Sequence, residues 1–532
     1  MHGFAPNTLD MSIIGAYFLV TILIGYLFRQ RTPSSKVFFH ASRSLPTAVT
    51  TIAFIAANCG ALEIVGIVSA SAKYGAGMLH FYWIGAVPAM IFLALSMMPV
   101  YLRSGALTVP EFLHLRFNAE TRMLNIACST IMMIMVSGIS LYALTQVLRT
   151  FLGYSFTQTV FCVAAIVVLY LSLGGLTATI YNEVLQFALI LAGLLPLFFF
   201  ILRDFHSISG LLALLPSNMR HSWTSLPLFA PQTSQLDVVG VAMGLGFVLS
   251  FGYWCTDFVL IQRSLAARSL EGVIDTSLYA SLVKIFFPLL VVVPGLAAAV
   301  FFRSQPSFAF DQALPALMMH YYRHGLLGFG ITAVLASLLS GVAGNINALT
   351  TIWIHDFYRP RIAPKKTDRH YIIVGRFFIA GGVLLSVATA YVALSFNNLM
   401  DYLQLLFSLF NAPLFATFLL GMFTTWATPA AGFWGLLAGT LCSIAHNFAY
   451  RLHWITYSSD MSSNFYGAFL AFMSCLVVTI VVSGMTQTKS RQQLADLTYW
   501  TASRGHDSLS SRSIALAITA FTILIALNLV FR

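Results

Sequence analysis

The amino-acid sequence predicts an all-α polytopic membrane protein with about fourteen transmembrane helices. Three features of its composition support this fold class: 58% of the 532 residues are hydrophobic, 8% are charged, and the mean hydropathy is +0.84. A soluble chain carries roughly 25% charged residues, so this chain has too few to cover the surface of a soluble globule. The composition therefore excludes a soluble enzyme, a disordered chain and a nucleic-acid-binding domain.

The apolar runs have the length of membrane spans. A bilayer core of about 30 Å needs roughly 20 apolar residues per helix. Windows of that length give approximate spans at 9–28, 45–72, 77–103, 121–150, 156–173, 178–203, 236–266, 271–303, 324–358, 368–396, 398–424, 429–451, 464–485 and 512–531. The longest polar stretches, 204–235 and 486–511, are too short for a soluble domain.

The basic residues predict the orientation. Most of the 28 Lys and Arg residues fall in alternate connectors, and cytoplasmic loops carry an excess of these residues. We therefore expect a multi-pass protein of the cell (inner) membrane with both termini outside. The net charge of +11 then reports topology rather than an anionic partner.

Two spans contain sequences that interrupt a helix. The second span holds IAANCGAL at 55–62, and the seventh holds GVAMGLGFVLSFGYWCTD at 240–257, with four glycines. Broken helices at corresponding positions of two halves are typical of transporters built on inverted repeats. The alternative is that these glycines only allow helices to pack closely.

Charged residues inside the bilayer are costly and indicate function. We expect Glu63, Asp257 and Lys284 to lie at depth, with Lys284 paired to one of the carboxylates or, alternatively, serving only to align helices. Glu183 lies either in the bilayer or at its interface. Two further acidic residues, Asp356 and Asp401, are expected at helix ends in water.

The ninth span carries ASLLSGVAGNINALTT at 336–351, which is rich in small and hydroxyl side chains. Hydroxyls and broken-helix carbonyls are oxygen donors, which hard cations prefer. The alternative is helix packing through small residues. Four aromatic residues flank the interrupted or charged regions and are candidates for a pocket wall: Tyr82, Trp83, Tyr253 and Trp254.

Six segments then identify a resemblance. GGLTATIYNEVLQFALILAG at 174–193 resembles the signature of the sodium/solute symporter family. The other matching segments are IAAN at 55–58, TVPEFLHLRFN at 108–118, LIQRSLAARS at 260–269, KIFFPLLVVVPG at 284–295 and DFYRP at 356–360. The similarity runs over about residues 10–485 in the family's order, and it is greatest to the bacterial sodium–sugar cotransporter branch.

The resemblance implies a 5+5 inverted-repeat core of the leucine-transporter type, made by spans 2–6 and 7–11. The expected divisions are an N-terminal extra helix with the first cytoplasmic loop at 1–44, a first repeat at 45–203, an external loop at 204–235, a second repeat at 236–424, and accessory helices at 425–532.

The resemblance also implies an Na+ site. Its ligands would be the carbonyls of Ala56, Cys59 and Ser337 and the hydroxyl of Ser340, with Asn58 supporting the helix break. The next position usually carries another hydroxyl, but in this chain it is Gly341, which removes one oxygen ligand and leaves the identity of the coupling ion open.

For the solute, the family's site falls on positions whose side chains differ from those of typical sugar carriers. These are Glu63 (usually Gln), Tyr82 (usually acidic), Gly85 (usually Ser) and Asp257 (usually Asn), together with the retained Lys284 and Gln404. Val259 stands at the aromatic inner-gate position. The added acidic groups suit a polyol, a modified sugar, a cationic group or a protonation site.

The function implied is that of a secondary active symporter, not an enzyme. It would use sodium to drive uptake of a small polar solute such as a sugar or polyol by alternating access. One alternative is a proton-coupled or sodium-independent transporter that uses Glu63 or Asp257. Another is a transporter-shaped receptor that senses a solute without moving it. A membrane-embedded enzyme would need clustered His, Asp or Glu, but the 13 histidines are scattered.

Overall fold

A computed structural model of the chain describes residues 7–29, 44–60, 62–223, 226–228, 236–302, 309–395, 398–501 and 510–531. Over these residues the chain is all-helical, with no β-strand. Ten helices are long and apolar enough to cross a membrane. In two further pairs, two helices meet at a bend and are together long and apolar enough for one crossing. The described residues therefore form a multi-pass membrane protein with ten to twelve candidate crossings, compared with about fourteen predicted from the sequence.

The α-helices are numbered in chain order. The first half contains α1 (Thr8–Arg29), α2 (Thr47–Asn58), α3 (Ile67–Tyr74), α4 (Val87–Phe92), α5 (Met98–Arg103), α6 (Val109–Arg116), α7 (Ala119–Leu152), α8 (Phe156–Phe205), α9 (Ile208–Leu214) and α10 (Ser217–Arg220). The second half contains α11 (Ser250–Thr256), α12 (Phe258–Leu265), α13 (Leu270–Phe286), α14 (Pro288–Phe301), α15 (Ala313–Tyr321), α16 (Leu326–Ile352), α17 (Asp368–Ala393), α18 (Leu399–Phe423), α19 (Pro429–Arg451), α20 (Asp460–Met485) and α21 (Ser511–Val530).

Shorter turns of other helical types join several of these helices. The π-helical segments are Leu62–Gly66, Phe81–Ala86, Leu93–Met97, Gly240–Leu249 and Trp353–Ile362. The 3-10 segments are Gly75–Leu79 and Phe310–Gln312. π-turns inside helices are frequent at functional sites, and two of these segments contain the predicted solute residues Glu63 and Tyr82.

Both predicted interruptions coincide with a bent span. In the first, α2 and Glu63–Leu79 meet at 56°. Cys59 leaves helical geometry at ψ 45°, and the Gly60 N–H donates to the Asn58 carbonyl at 2.8 Å in a tight turn. In the second, Gly240–Thr256 and α12 meet at 49°.

The second bend lies at Asp257 rather than among the glycines. The glycines stay in helical backbone, where they allow close contact with neighbouring helices. A Cβ at Gly244 would lie 2.5 Å from the Phe465 carbonyl oxygen, and one at Gly252 would lie 2.9 Å from that of Asn411. The packing interpretation of these glycines therefore holds, and Asp257 makes the break.

The spans predicted at 156–173 and 178–203 form one helix. α8 is 50 residues long, so a straight version would measure about 75 Å, far more than a bilayer core. Gly174 and Gly175 lower helix propensity, but glycine keeps the backbone N–H that a helix needs, and the helix runs through both residues. Within α8, residues 176–205 satisfy the criteria for a crossing and 156–169 form a shorter apolar stretch.

The expectation for two acidic residues is wrong. Asp356 and Asp401 were expected in water, but they are 1% and 7% exposed. Asp356 lies in the π-segment that continues α16, and Asp401 lies in the first turn of α18 beside a lysine described below. Glu183, for which the sequence left the interface open, is fully buried within α8.

The chain folds into two compact units. The first contains Met1–Leu79, Met133–Ser225 and Phe286–Leu403, and the second contains His80–Met132, Leu226–Ile285 and Gln404–Arg532. Each unit combines segments from both predicted repeats. In the first unit, the break after α2 packs against α16, whose residues are almost all buried.

Candidate functional site

The four predicted ion ligands meet in the first unit, where the break after α2 faces α16. The Ser337 hydroxyl donates to the Cys59 carbonyl at 2.5 Å, and the Ser340 hydroxyl donates to the Ala56 carbonyl at 3.2 Å. All four residues are fully buried. The last carbonyls of a helix lack intrahelical partners and carry the negative end of its dipole. The arrangement therefore places buried oxygens around the carboxyl end of a broken helix.

These oxygens form a donor set that suits a hard cation. Each serine hydroxyl can turn its hydrogen outward and present a lone pair, because a hydroxyl is both donor and acceptor. The Ser337 hydroxyl also lies 3.4 Å from the Gly60 carbonyl. From the sequence we expected Ser337 to contribute only its carbonyl, and we did not expect Gly60. The sequence did indicate the Ser337 hydroxyl, because Ser337 and Ser340 are three residues apart and so share one face of a helix.

Gly341 marks a close approach of two backbones. A Cβ at Gly60 would lie 3.2 Å from the Gly341 Cα and 3.9 Å from the Ser337 carbonyl oxygen. The position that lacks a hydroxyl, Gly341, is therefore the point where α16 passes close to the break after α2. Asn58 ends α2 at this point and is 2% exposed.

In the second unit, Lys284 lies among aromatic rings. It is fully buried in α13, and its Nζ lies 6.0 Å from the centroid of the Tyr82 ring and 5.7 Å from that of Trp254. Cation–π attraction acts at about this distance and is stronger when the cation is desolvated. The structure thus groups three of the predicted residues.

The other two aromatic candidates face different neighbours. Trp83 donates its indole N–H to the Ile285 carbonyl at 3.3 Å, and Tyr253 stacks on Phe407 with centroids 4.9 Å apart. Their rings help to pack the second unit around the Lys284 group.

Gly85 contacts a hydroxyl that the sequence did not indicate. A Cβ at Gly85 would collide with the side-chain oxygen of Ser250, whose residue is 7% exposed. The Ser250 hydroxyl therefore lies where a side chain at position 85 would begin. No sequence pattern links these positions, because they are distant in the chain.

Asp257 caps the helix that follows the second bend. Its carboxylate accepts the Val259 N–H at 2.8 Å, as an N-cap residue does. The fully buried Arg263 donates to the Val259 carbonyl, also at 2.8 Å. The predicted gate residue Val259 is therefore held on both sides of its backbone.

Two predicted solute residues remain. Glu63 is 4% exposed and lies in the first unit, in the π-turn that follows the break. Gln404 is 2% exposed and belongs to the second unit, in α18. Both are buried, as expected for spans in a bilayer.

Known proteins similar to this chain are transporters. The model of the Sodium:solute symporter family matches residues 38–439. Sodium/glucose cotransporter 1 of Mus musculus is 26% identical over 537 residues, covering 90% of this chain and 79% of that protein. Sodium/myo-inositol cotransporter 2 of Oryctolagus cuniculus is 28% identical over 544 residues, covering 92% and 79%.

A solved structure shares the fold. It is a Na+-coupled sialic acid symporter in a substrate-bound outward-open state, with a TM-score of 0.77 and 18% sequence identity. The match covers 91% of this chain and 99% of that chain. At this identity the match establishes architecture, whereas the family model identifies the ancestry. Because that model matches most of the chain, the protein belongs to the Sodium:solute symporter family.

Proposed function

We propose that this symporter couples inward movement of Na+ to uptake of a small polar solute of the sugar or polyol class. The observation that carries the proposal is the pair of contacts from Ser337 and Ser340 to the carbonyls of Cys59 and Ala56. Such a set lies at a helix break, where transporters of known mechanism bind coupling ions. The names of the sugar and inositol cotransporter relatives support the solute class.

The ion would be held by the carbonyls of Ala56, Cys59 and Ser337 and the hydroxyl of Ser340, with the Ser337 hydroxyl as a further oxygen. Binding requires each hydroxyl to exchange its hydrogen bond to a carbonyl for an ion contact, and the freed carbonyls join the ligand set. At about 100 mV each positive charge moved inward gains roughly 2.3 kcal/mol. That supports about fifty-fold accumulation before any sodium gradient is added.

The solute would contact the buried Lys284 and its two aromatic neighbours, Tyr82 and Trp254. Lysine donates to several hydroxyl oxygens at once, and an aromatic face packs on the apolar face of a sugar ring. We add Ser250 to the predicted group, because its hydroxyl takes the place of the serine expected at Gly85. Asp257, Gln404 and Glu63 remain proposed solute residues, with Val259 as the gate.

We also propose the finer architecture that the sequence predicts. The core would be two inverted repeats of five apolar segments, 45–203 and 236–424, in which α8 supplies both the crossing at 176–205 and the shorter apolar stretch at 156–169 of the first repeat. The protein would lie in a cell membrane with both termini outside. The two bent spans, one in each proposed repeat, support this symmetry. Alternating access would then follow from rocking of these repeats around the bound ion and solute.

The test compares Ser340→Ala with Ser386→Ala in proteoliposomes that contain the purified protein, using labelled glucose and myo-inositol. Ser386 is a matched control because its buried hydroxyl donates within its own helix, to the Gly382 carbonyl at 2.8 Å. We expect Ser340→Ala to raise the sodium concentration for half-maximal uptake about tenfold and Ser386→Ala to leave it unchanged. Equal sodium activation in both variants would remove Ser340 from the ion site.

One specific feature favours protons as an alternative coupling ion. Gly341 supplies no hydroxyl, and buried carboxylates such as Glu63 and Asp257 are able to carry a proton instead. In that case uptake follows a pH gradient and ignores sodium. A receptor would bind the solute with no uptake under either gradient.

A further inference from the structure

We propose that Asp10, on the N-terminal helix α1, is a positioning residue for the ion site. It holds the amino end of α16, the helix that carries Ser337 and Ser340. The inference builds on the proposed function, because it assigns a determinant of the same site. Asp10 lies outside residues 38–439, the part of the chain that the family model matches.

The contact is a helix cap supplied from a distant part of the chain. One carboxylate oxygen of Asp10 accepts the backbone N–H groups of Gly325 and Gly328, at 2.7 and 2.8 Å. The other accepts the Asn7 N–H at 3.0 Å and lies 3.2 Å from Nδ1 of His324. α16 has no side-chain cap of its own, since its N-cap residue is Gly325. The first N–H groups of a helix need such partners, and a carboxylate there also favours the helix dipole.

Glycines at positions 325 and 328 leave room for this carboxylate at the amino end of α16. Gly325 has φ +85°, a conformation that residues with a side chain rarely adopt. A Cβ at Gly328 would lie 2.7 Å from the Asp10 Cα, so the two backbones touch. Asp10 itself is fully buried. Gly325, Gly328 and the buried carboxylate of Asp10 therefore fix the position of α1 against the amino end of α16.

Other polar contacts fix the neighbouring helix α8 to both partners. On the α1 side, Gln186 donates to the Tyr17 hydroxyl at 3.1 Å. On the α16 side, Asn347 donates to the Thr179 hydroxyl at 2.6 Å. Near the amino end of α16, the Tyr322 hydroxyl donates to the Gly193 carbonyl at 2.5 Å. These bonds set the register of the three helices, and Asp10 supplies the bond at the end of α16.

The distance to the ion site is short enough for a rigid helix to transmit a displacement. Ser337 lies nine residues after Gly328, which is about 14 Å along a helix. The first turns between them are tightly packed: a Cβ at Gly330 would lie 2.6 Å from the Tyr322 ring. Loss of the cap would free the amino end of α16 and shift the serine hydroxyls relative to the Ala56 and Cys59 carbonyls.

The experiment measures sodium activation of glucose and myo-inositol uptake together with hydrogen–deuterium exchange of α16 in the full-length protein. Asp10→Ala removes both backbone bonds. Asp10→Asn keeps one oxygen as their acceptor and serves as the conservative variant that is expected to fold. Thr367→Ala is the matched control, because Thr367 caps α17, accepting the His370 N–H at 3.4 Å, and α17 carries no proposed ligand.

We expect Asp10→Ala to raise the half-activating sodium concentration threefold to tenfold with the maximal rate per folded protein retained. Exchange should increase through Ser337–Ser340, and Asp10→Asn should restore most of both values. A normal sodium response in Asp10→Ala, or the same loss in Thr367→Ala, would overturn the inference.

The exchange measurement separates this inference from the proposed function. If the wild-type protein ignores sodium, the proposed coupling fails, yet exchange still reports whether Asp10 holds the segment around Ser337. Faster exchange confined to the first turn of α16 would reduce Asp10 to a local cap and overturn the positioning role. If Asp10→Ala does not fold, Asp10→Ser provides the comparison, because its shorter side chain cannot reach both the Gly325 and Gly328 N–H groups. Its exchange through Ser337–Ser340 must then exceed that of Thr367→Ala.

Discussion

The Lys73 ammonium lies 2.7 Å from a carboxylate oxygen of Asp401. This ion pair joins the second half of the first bent span to the start of α18. The Tyr74 hydroxyl donates to the same carboxylate at 2.9 Å. The side chain of Asp401 is 8% exposed and that of Lys73 is 24% exposed, so the pair is largely withdrawn from water. Removing one partner of such a pair leaves the other charge buried.

The first prediction concerns this pair. Lys73→Ala should lower the free energy of unfolding by roughly 1–3 kcal/mol, because Asp401 loses its counter-ion while the partial exposure of the lysine moderates the cost. Thermal unfolding in detergent measures it. In a double-mutant cycle, adding Asp401→Ala should recover part of the loss. Strictly additive losses would show that the pair has no coupling energy.

The second prediction concerns Asp311, which lies in the segment between two spans. The Ser69 hydroxyl donates to it at 2.8 Å and the Leu399 N–H at 3.4 Å. Burial raises its pKa to about 6, and the nearby Asp401 charge adds to this rise, whereas hydrogen bonds and Lys73 oppose it. Because the folded-state pKa exceeds the ordinary value of 3.8, its contribution to stability is present below about pH 4 and is lost as pH rises through about 6.

Asp311→Asn should therefore flatten the pH dependence of the melting temperature between about pH 4 and pH 7. The variant should also be the more stable protein at about pH 7.5, because it carries no buried charge there. Melting curves at closely spaced pH values provide the measurement. If Asp311→Asn keeps the wild-type slope of melting temperature against pH, other titratable groups produce that slope.

The third prediction concerns Arg116, which is fully buried in α6. Its guanidinium donates to the carbonyls of Gly421, Ala427 and Thr424, at 2.6, 3.0 and 3.0 Å, and so caps the carboxyl end of α18. Burial lowers its pKa to about 10, which keeps it charged at neutral pH. Arg116→Lys should cost about 2–4 kcal/mol, because an ammonium cannot reproduce the planar fork. Arg149→Lys is the control, because Arg149 is exposed. If Arg116→Lys and Arg149→Lys melt at the same temperature, Arg116 does not stabilise the carboxyl end of α18.

The fourth prediction concerns Gly85 and Ser250. Gly85→Ser should reduce glucose or myo-inositol uptake, because the new side chain collides with the Ser250 hydroxyl. The double variant Gly85→Ser with Ser250→Gly moves the hydroxyl across the contact and should recover most of the uptake. Concentration dependence of uptake, normalised to protein amount, gives the result. A double variant no better than the single one would remove Ser250 from the proposed solute site.

The sequence predicted features that depend on local backbone chemistry. Asn58, Cys59 and Gly60 are poor helix formers in an apolar run, and the first span bends there. Ser337 and Ser340 are three apart on one helix, so a shared face follows from helical geometry. The membrane class followed from composition alone.

Features that depend on distant contacts were missed. Lys73 and Asp401 are 328 residues apart, and no periodicity connects them, so Asp401 was wrongly expected in water. Ser250 was absent from the predicted site because only the fold brings it to Gly85. The bend at Asp257 was assigned to glycines, since their low helix propensity is visible in the sequence whereas a side-chain cap is not.

The central claim is that sodium drives uptake, and its most direct test compares two gradients. Proteoliposomes that contain the purified protein are loaded with potassium and given labelled glucose or myo-inositol under an inward sodium gradient or an inward proton gradient of equal size. We predict concentrative uptake under the sodium gradient that collapses when a sodium ionophore is added. Concentrative uptake under the proton gradient alone, with none under sodium, would contradict the claim.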